Sequence, residues 1–352
     1  MTKRIFFTSV AALALAIFAG GCGSNSNSSS NSAGAGEGAS AGSSASSGGS
    51  GGSGASSGEA KKLTIGYLPN IVIPQPLVGL QNGDFARALP GVALDSKTFP
   101  AGPAVMEALR GGVVDIAYTG PYPPLKGFIK DGDIVLLTAC AEGGTELLVG
   151  QNSPIKSVKD LKGKIVAVNQ IGSTVDAMVR HVLLQAGLKP GVDVTVTAIE
   201  PAQQADALQN GEVAAASAPA PWPSVAKQKG ARALLDWKQI LDNGKYLQGV
   251  AFTTTKFAQA NPNLIKAFVA AHRKITDDLN ANRAKGDAQV LAAWQTVTRK
   301  ALPPAVAQAA FKTITFTNES SLASWNRVQE IAQEVGILRK TGDLKGFLYQ
   351  AM

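Results

Sequence analysis

From Lys61 onward, short β-type runs alternate with helical stripes, and the alternation restarts partway along the chain. Residues 63–67, 92–94 with 97–99, and 114–118 read as strands, while Val105, Met106 and Leu109 begin a helical stripe and a further helix opens at Pro121. After Gly150 the pattern repeats: strand 164–168, helix 175–186 closed by Gly187, strand 194–199, helix 202–209 closed by Gly211, strand 213–217, and a helix from about Trp222 to Gln228. A β-type run at 246–255 follows, and beyond it the spacing predicts helices 262–285, 287–300, 303–312, 319–336 and 343–350. Alternation of this kind predicts parallel sheets covered by helices. Two such sets, with the helical tail packing back on the first, predict an α/β fold of two lobes. Lobe 1 takes 61–150 and 250–352, lobe 2 takes 151–249, and crossing segments near 146–153 and 246–255 join them around a cleft. Ligands of open α/β sheets sit beyond the carboxyl ends of the strands, so the residues just after each strand matter most.

The chain before Lys61 has a different character. Residues 23–60 hold only Gly, Ser, Ala and Asn apart from Glu37 and Glu59. With almost nothing apolar to bury, they predict a disordered tether with a typical reach of roughly 35 Å. Removing the first 60 of 352 residues leaves 292, enough for two compact lobes at roughly 100–200 residues per domain. Residues 1–21 carry the three parts of a secretory signal: Lys3-Arg4, an apolar run over 10–19 that is too short to span a bilayer, and small residues before Cys22. Ala19-Gly20-Gly21-Cys22 resembles the bacterial lipobox, with Ala19 where Leu is usual. That resemblance implies acylation of Cys22. The expectation is an exported protein held by membrane lipid through acylated Cys22, at the outer face of the cytoplasmic membrane or in the periplasm.

The formal charge of +8 falls in the folded region, because Lys3 and Arg4 are offset by Glu37 and Glu59. No run of basic residues exceeds two, and aromatics are only 6%. A nucleic-acid stripe would cluster charge with stacking residues, so no nucleic-acid partner is expected. With Cys22 acylated, Cys140 stands alone at the end of an apolar run and reads as a buried, inert thiol.

Enzyme and metal signatures are weak. The G-x-S-x-G matches at 38–42 and 48–52, and the G-x-G-x-x-G match at 49–54, lie in the tether, with no strand before or helix after them. His181 and His272 have no ligand-spaced Cys or carboxylate, and there is no C-x-x-C. No catalytic residue, metal or cofactor is expected, and the protein is not read as an enzyme.

Four strand-to-helix junctions carry the binding chemistry instead: 99–103, 118–122, 172–174 and 219–223. Gly and Pro at helix starts leave backbone N–H groups free, and Ser or Thr adds hydroxyls, so each junction suits an anion at a positive helix end. Singly each reads as a turn or cap. Their recurrence in both lobes points to an oxyanion clamp. Trp222 is either a core anchor or an apolar wall, while Glu142, Glu146, Asp176, Gln75 and Asn70 are polar groups placed to meet a ligand or simply to cap and solvate.

The motifs Phe99-Pro100-Ala101-Gly102-Pro103, Glu107-Ala108-Leu109 with Gly112 and Asp115-Ile116, Thr119-Gly120, Pro123-Pro124, Ser153–Val158, Asp160-Leu161-Lys162-Gly163-Lys164 and Gly172-Ser173 resemble one family across roughly residues 62 to 280. It is that of the periplasmic substrate-binding proteins of ABC importers, in the branch for aliphatic sulfonates, taurine and nitrate. The resemblance implies a type II periplasmic binding protein fold, a monomer that closes on a small organic anion, most readily an aliphatic sulfonate, and delivers it to the membrane subunits of an ABC permease. Carried over by position, Gly102, Thr119, Gly120, Gly172 and Ser173 are anion contacts. Tyr122 and Trp222 are walls, and Thr174, Gln75 and Glu142 complete the candidate set. Two departures matter: Pro121-Tyr122 stands where sulfonate-binding relatives usually have an acidic residue, and 218–223 replaces a Trp-Asp-Pro-Tyr-like stretch. Both remove a partner for a ligand cation. The rival readings are an enzyme of the same fold acting on a pyrimidine precursor, and a ligand-sensing or structural lipoprotein.

Overall fold

The computed structural model describes residues 58–350. The export signal expected over 1–21, the acylation site Cys22 and the tether to residue 57 lie outside the described residues. The tether was expected to run to residue 60, but its end already belongs to the fold. Glu59 Oε1 accepts the N–H of Asn263 (2.6 Å), and Ala60 N–H donates to Asn261 Oδ1 (2.7 Å). This places a carboxylate at a helix N-terminus, where the helix dipole favours it.

The first lobe begins with β1 (Lys62–Tyr67), α1 (Pro74–Gln81), α2 (Asp84–Ala88), β2 (Ala93–Thr98), α3 (Gly102–Arg110), β3 (Ile116–Thr119), α4 (Tyr122–Asp131) and β4 (Ile134–Gly143). The second contains β5 (Thr145–Gly150), β6 (Ile165–Val168), α5 (Thr174–Gln185), β7 (Thr195–Ala198), α6 (Pro201–Gln209), β8 (Ala215–Pro219), α7 (Trp222–Gln228), β9 (Ala231–Leu235) and α8 (Trp237–Ile240). The chain returns through β10 (Leu247–Thr254), α9 (Thr255–Ala260), α10 (Pro262–Ala281), α11 (Arg283–Thr298), α12 (Pro304–Phe311), β11 (Ile314–Phe316) and α13 (Leu322–Glu334).

The sheets are mixed rather than purely parallel. The first has the order β11-β4-β10-β3-β1-β2, the second β7-β6-β8-β5-β9. In each, the βαβ strands are parallel: β1 with β2 and β3, and β6 with β7 and β8. The strands carrying the chain between lobes, β10 and β5, run antiparallel to their neighbours. Ile65, Ile116, Ala139 and Phe252 in the first sheet, and Val166, Ala167 and Ala215 in the second, are fully buried.

The lobe boundaries shift from those expected. β5 belongs to the second sheet, so the chain leaves lobe 1 at Gly143-Gly144 rather than at 150, and it returns before β10 at 247. Both glycines have positive φ (76° and 83°), a region glycine enters without the cost a Cβ imposes. This pair makes the crossing, and the Leu-Leu-Val of β5 is core of the second sheet.

The tail also departs from expectation. It packs on both lobes, not on the first alone: α11 lies on α1 and α10, α12 on α7, and α13 on α4 and α5. His181 of α5 meets Glu334 of α13 (Nδ1···Oε2 2.6 Å), and Gln185 Nε2 donates to the same carboxylate. The helix expected over 343–350 is absent. Leu348 bridges to Leu136 of β4, and Leu136 N–H donates to Phe347 O (2.7 Å). Gly346 at φ 81° ends any helical path, and Phe347 is buried edge-on against Trp325.

Candidate functional site

The carboxyl ends of β1, β3, β6 and β8 converge between the lobes. Around a cavity of about 20 Å³ stand Gly102, Thr119, Gly120, Ser173 and Thr174, with Asn70, Asn169, Pro219 and Gln248 and the apolar Leu68, Val72, Ile73 and Val175. A space of this size admits about one water, so the lobes are closed on each other. Gly120 makes the closure possible: a Cβ there would overlap Thr174 of the opposite lobe. At Gly102 a Cβ would overlap Thr119 Oγ1 and come within 2.7 Å of Pro123.

α5 is the helix end best equipped for an anion. Its N-cap Ser173 accepts from Asp176 N–H (3.2 Å) and donates to Asn169 Oδ1 (2.7 Å). The backbone N–H groups of Thr174 and Val175 come before the helix ladder begins. Asp176, on the first turn, is neutralised locally by Arg180 (2.7 Å) and takes the Gly172 N–H (2.8 Å). The expected four-helix clamp is narrower than its sequence suggested. Pro103, Pro121, Pro123 and Pro124 carry no N–H, so α3 and α4 offer few donors. α7, with Pro221 at its N-cap and Pro223 in its first turn, has only seven residues.

Five of the ten nominated binding residues meet at the cavity: Gly102, Thr119, Gly120, Ser173 and Thr174. The other five do not. Gly172 lies beside it, its φ of 79° setting the turn into α5 and its N–H taken by Asp176. Gln75 belongs to the first-lobe interior, where Nε2 donates to Cys140 O (3.0 Å) and Thr276 Oγ1 (2.9 Å). Tyr122 is buried where α4, α5 and α13 meet, beside Met178, Tyr246 and Arg327, and burial raises its hydroxyl pKa. Glu142 pairs across β4 with Thr315 and Leu247. Partial burial raises its pKa, Lys245 opposes that, and Glu319 adds to it. Trp222 packs edge-on against Trp294 of the tail (centroids 6.1 Å apart), with Lys300 over its ring. It is an anchor between lobe 2 and the tail.

Two polar lining residues were not anticipated, Asn169 and Gln248. Asn169 directly follows β6, a position that the strand-end rule already marks. Gln248 is a lone polar side chain near the start of β10, 4% exposed. Three side-chain atoms at this site have no hydrogen-bond partner: Asn70 Oδ1, Thr174 Oγ1 and Gln248 Oε1. No lining residue is charged, and none is His or Cys. His272 lies in the first-lobe core, where Nε2 donates to Ala139 O (2.8 Å) and Nδ1 accepts from Tyr118 (2.9 Å). Burial raises the pKa of the Cys140 thiol well above its ordinary value.

Among relatives, a putative aliphatic sulfonates-binding protein of Escherichia coli (strain K12) is 35% identical over 181 residues, which cover 49% of this chain and 53% of the relative. The chain spans about half the length of the curated relatives it matches. Among solved structures, the periplasmic aliphatic sulphonate binding protein SsuA of Escherichia coli superposes with a TM-score of 0.65 at 25% identity, over 82% of this chain and 92% of that one. The alkanesulfonate-binding protein SsuA of Xanthomonas axonopodis pv. citri, bound to MOPS, has the same fold, with a TM-score of 0.68 at 23% identity over 83% and 99%. The fold is therefore that of the periplasmic binding proteins. The model of the NMT1-like family matches residues 56–295, most of the folded chain, and the protein belongs to that family.

Proposed function

We propose that this protein is the solute-binding subunit of an ABC importer, exported and held at the membrane through acylated Cys22. It captures a small organic oxyanion, an aliphatic sulfonate, between its lobes and hands it to the permease. The observation that carries this reading is the uncharged cleft that brings Thr119 and Gly120 of one lobe against Ser173 and Thr174 of the other at the start of α5. An oxyanion there meets hydroxyls, first-turn N–H groups and a positive helix end. Leu68, Val72, Ile73 and Val175 suit its apolar part. Lobe 1 comprises 59–143 and the return from 247, lobe 2 comprises 145–244, and the tail helices rest on both. Opening at Gly143-Gly144 and at 244–246 admits the ligand, which favours a clasped state, wider than the one-water space here, by its differential contacts. The names of the sulfonate-binding relatives support this assignment.

A thermal-shift screen of the protein against alkanesulfonates, taurine, nitrate, phosphonates and pyrimidine precursors tests it. At a ligand concentration about 1,000 times Kd the stabilisation is about 4 kcal/mol, which moves Tm by several degrees. The expected shift is confined to sulfonates and is lost in a Thr119→Ala, Ser173→Ala double variant. Absence of a shift with every anion sinks the oxyanion reading. Cell fractionation of Cys22→Ser tests the anchor, which predicts its release from the membrane fraction.

A further inference from the structure

The cleft lining includes a second kind of polar group besides the hydroxyls and the helix end. Asn70, in the loop after β1, and Gln248, at the start of β10, both line the cavity and are 6% and 4% exposed. Their Oδ1 and Oε1 atoms have no hydrogen-bond partner. Buried carboxamide oxygens left in this way are costly unless a water or a ligand bound between the lobes completes them.

Resting on the oxyanion reading above, we propose that Asn70 and Gln248 are specificity-determining residues that read a hydroxyl group on the ligand, so that the preferred class is a hydroxyalkyl oxyanion such as a hydroxyalkanesulfonate. The chemistry selects among the three simple substituents. A carboxamide presents one acceptor and one donor edge, and turning it over exchanges them. A hydroxyl donates its one proton to the oxygen of one carboxamide and accepts an N–H of the other turned over. An ammonium group only donates, and its charge needs a carboxylate, which the cavity lining does not provide. An alkyl group donates nothing and leaves both amide oxygens unpartnered.

Calorimetric titration of the full chain with ethanesulfonate, 2-hydroxyethanesulfonate and taurine tests this, with Asn70→Leu and Gln248→Met as near-isosteric variants. The wild-type protein should bind the hydroxylated ligand about tenfold or more tighter than ethanesulfonate, the worth of roughly one net hydrogen bond. Taurine should be the weakest of the three. In each variant the ratio of the hydroxylated ligand's affinity to that of ethanesulfonate should fall towards one, and the variant should melt no lower than wild type. Ethanesulfonate binding as tightly as its hydroxylated analogue, or a preference that survives both substitutions, overturns the proposal and leaves the oxyanion reading standing. No binding of any of the three overturns both.

Discussion

Two buried polar clusters lie close together in this molecule and have opposite hydrogen-bond economies. In the first-lobe interior, Gln75 donates to Cys140 O and to Thr276 Oγ1. Thr276 donates to His272 O, and His272 is held between Tyr118 and Ala139 O. Only Gln75 Oε1 is left over. In the cleft, Asn70, Thr174 and Gln248 are as thoroughly buried, yet each keeps an unpartnered oxygen. Adjacent residues face the two clusters. Tyr118 and Thr119 end the same strand, and because successive strand side chains point to opposite faces, Tyr118 packs under the sheet against His272 while Thr119 faces the cleft. Burial and residue type do not separate a structural polar group from a binding one. What distinguishes the two glutamines is that Gln75 is held through its Nε2 by Cys140 O and Thr276 Oγ1.

The largest expected effect comes from blocking the closure that buries the unsaturated cluster. Gly120→Val puts a branched side chain where even a Cβ overlaps Thr174, so the lobes should no longer meet. Affinity for the preferred sulfonate should fall about a hundredfold, close to 3 kcal/mol, while the circular dichroism spectrum stays that of the wild type. Adding Thr174→Gly should restore part of the loss, the remainder being the contact made by the Thr174 hydroxyl. Undiminished binding by Gly120→Val would mean that Gly120 and Thr174 do not meet in the ligand-bound state.

The saturated cluster should reveal itself through pH. His272 is fully buried, and burial, assisted by Arg273 and opposed by its bond to Ala139 O, lowers its pKa from 6.5 to about 3. The unfolded chain therefore binds a proton between pH 6.5 and about 3 that the folded chain refuses, so stability is lost as pH falls through that window. From pH 7 to pH 4.5 the loss from this group is about 2–3 kcal/mol. Urea unfolding of wild type and His272→Gln at the two pH values isolates it. The variant is less stable at pH 7 but should lose less on acidification by that amount. Parallel losses in both proteins would show that His272 is not held neutral by its surroundings.

Much of the architecture was legible because it rests on local patterns. The apolar runs of β1, β3 and β6, the helix of α5 and the strand-end rule place Thr119, Gly120, Ser173 and Thr174 at one cleft. What was hidden depended on contacts distant in sequence. β9 reads Ala-Arg-Ala-Leu-Leu, composed of helix formers, and is a strand because it pairs with β5; tertiary pairing overrides propensity there. The segment 343–350 has helical spacing, but Phe347 is drawn into the core beneath Trp325. The roles of Gln75 and Trp222 were ambiguous for the same reason. Their partners, Thr276 and Trp294, are 201 and 72 positions away.

The smallest and most discriminating effect contrasts two glutamines of near-equal burial. Gln75→Leu removes the donor that satisfies Cys140 O and Thr276 Oγ1, leaving them without this partner in the interior. It should cost about 1–2 kcal/mol of stability and leave sulfonate affinity within twofold of wild type. Gln248→Leu removes a carboxamide whose oxygen has no partner. It should leave stability within about 0.5 kcal/mol of wild type or raise it, because an apolar group replaces an unsatisfied one, and its effect should appear in ligand selectivity. Denaturant titration beside calorimetry on the two variants reads both axes. If Gln248→Leu destabilises as much as Gln75→Leu and leaves selectivity alone, Gln248 is structural too, and the bonds made by Gln75 Nε2 are not what distinguishes the two glutamines.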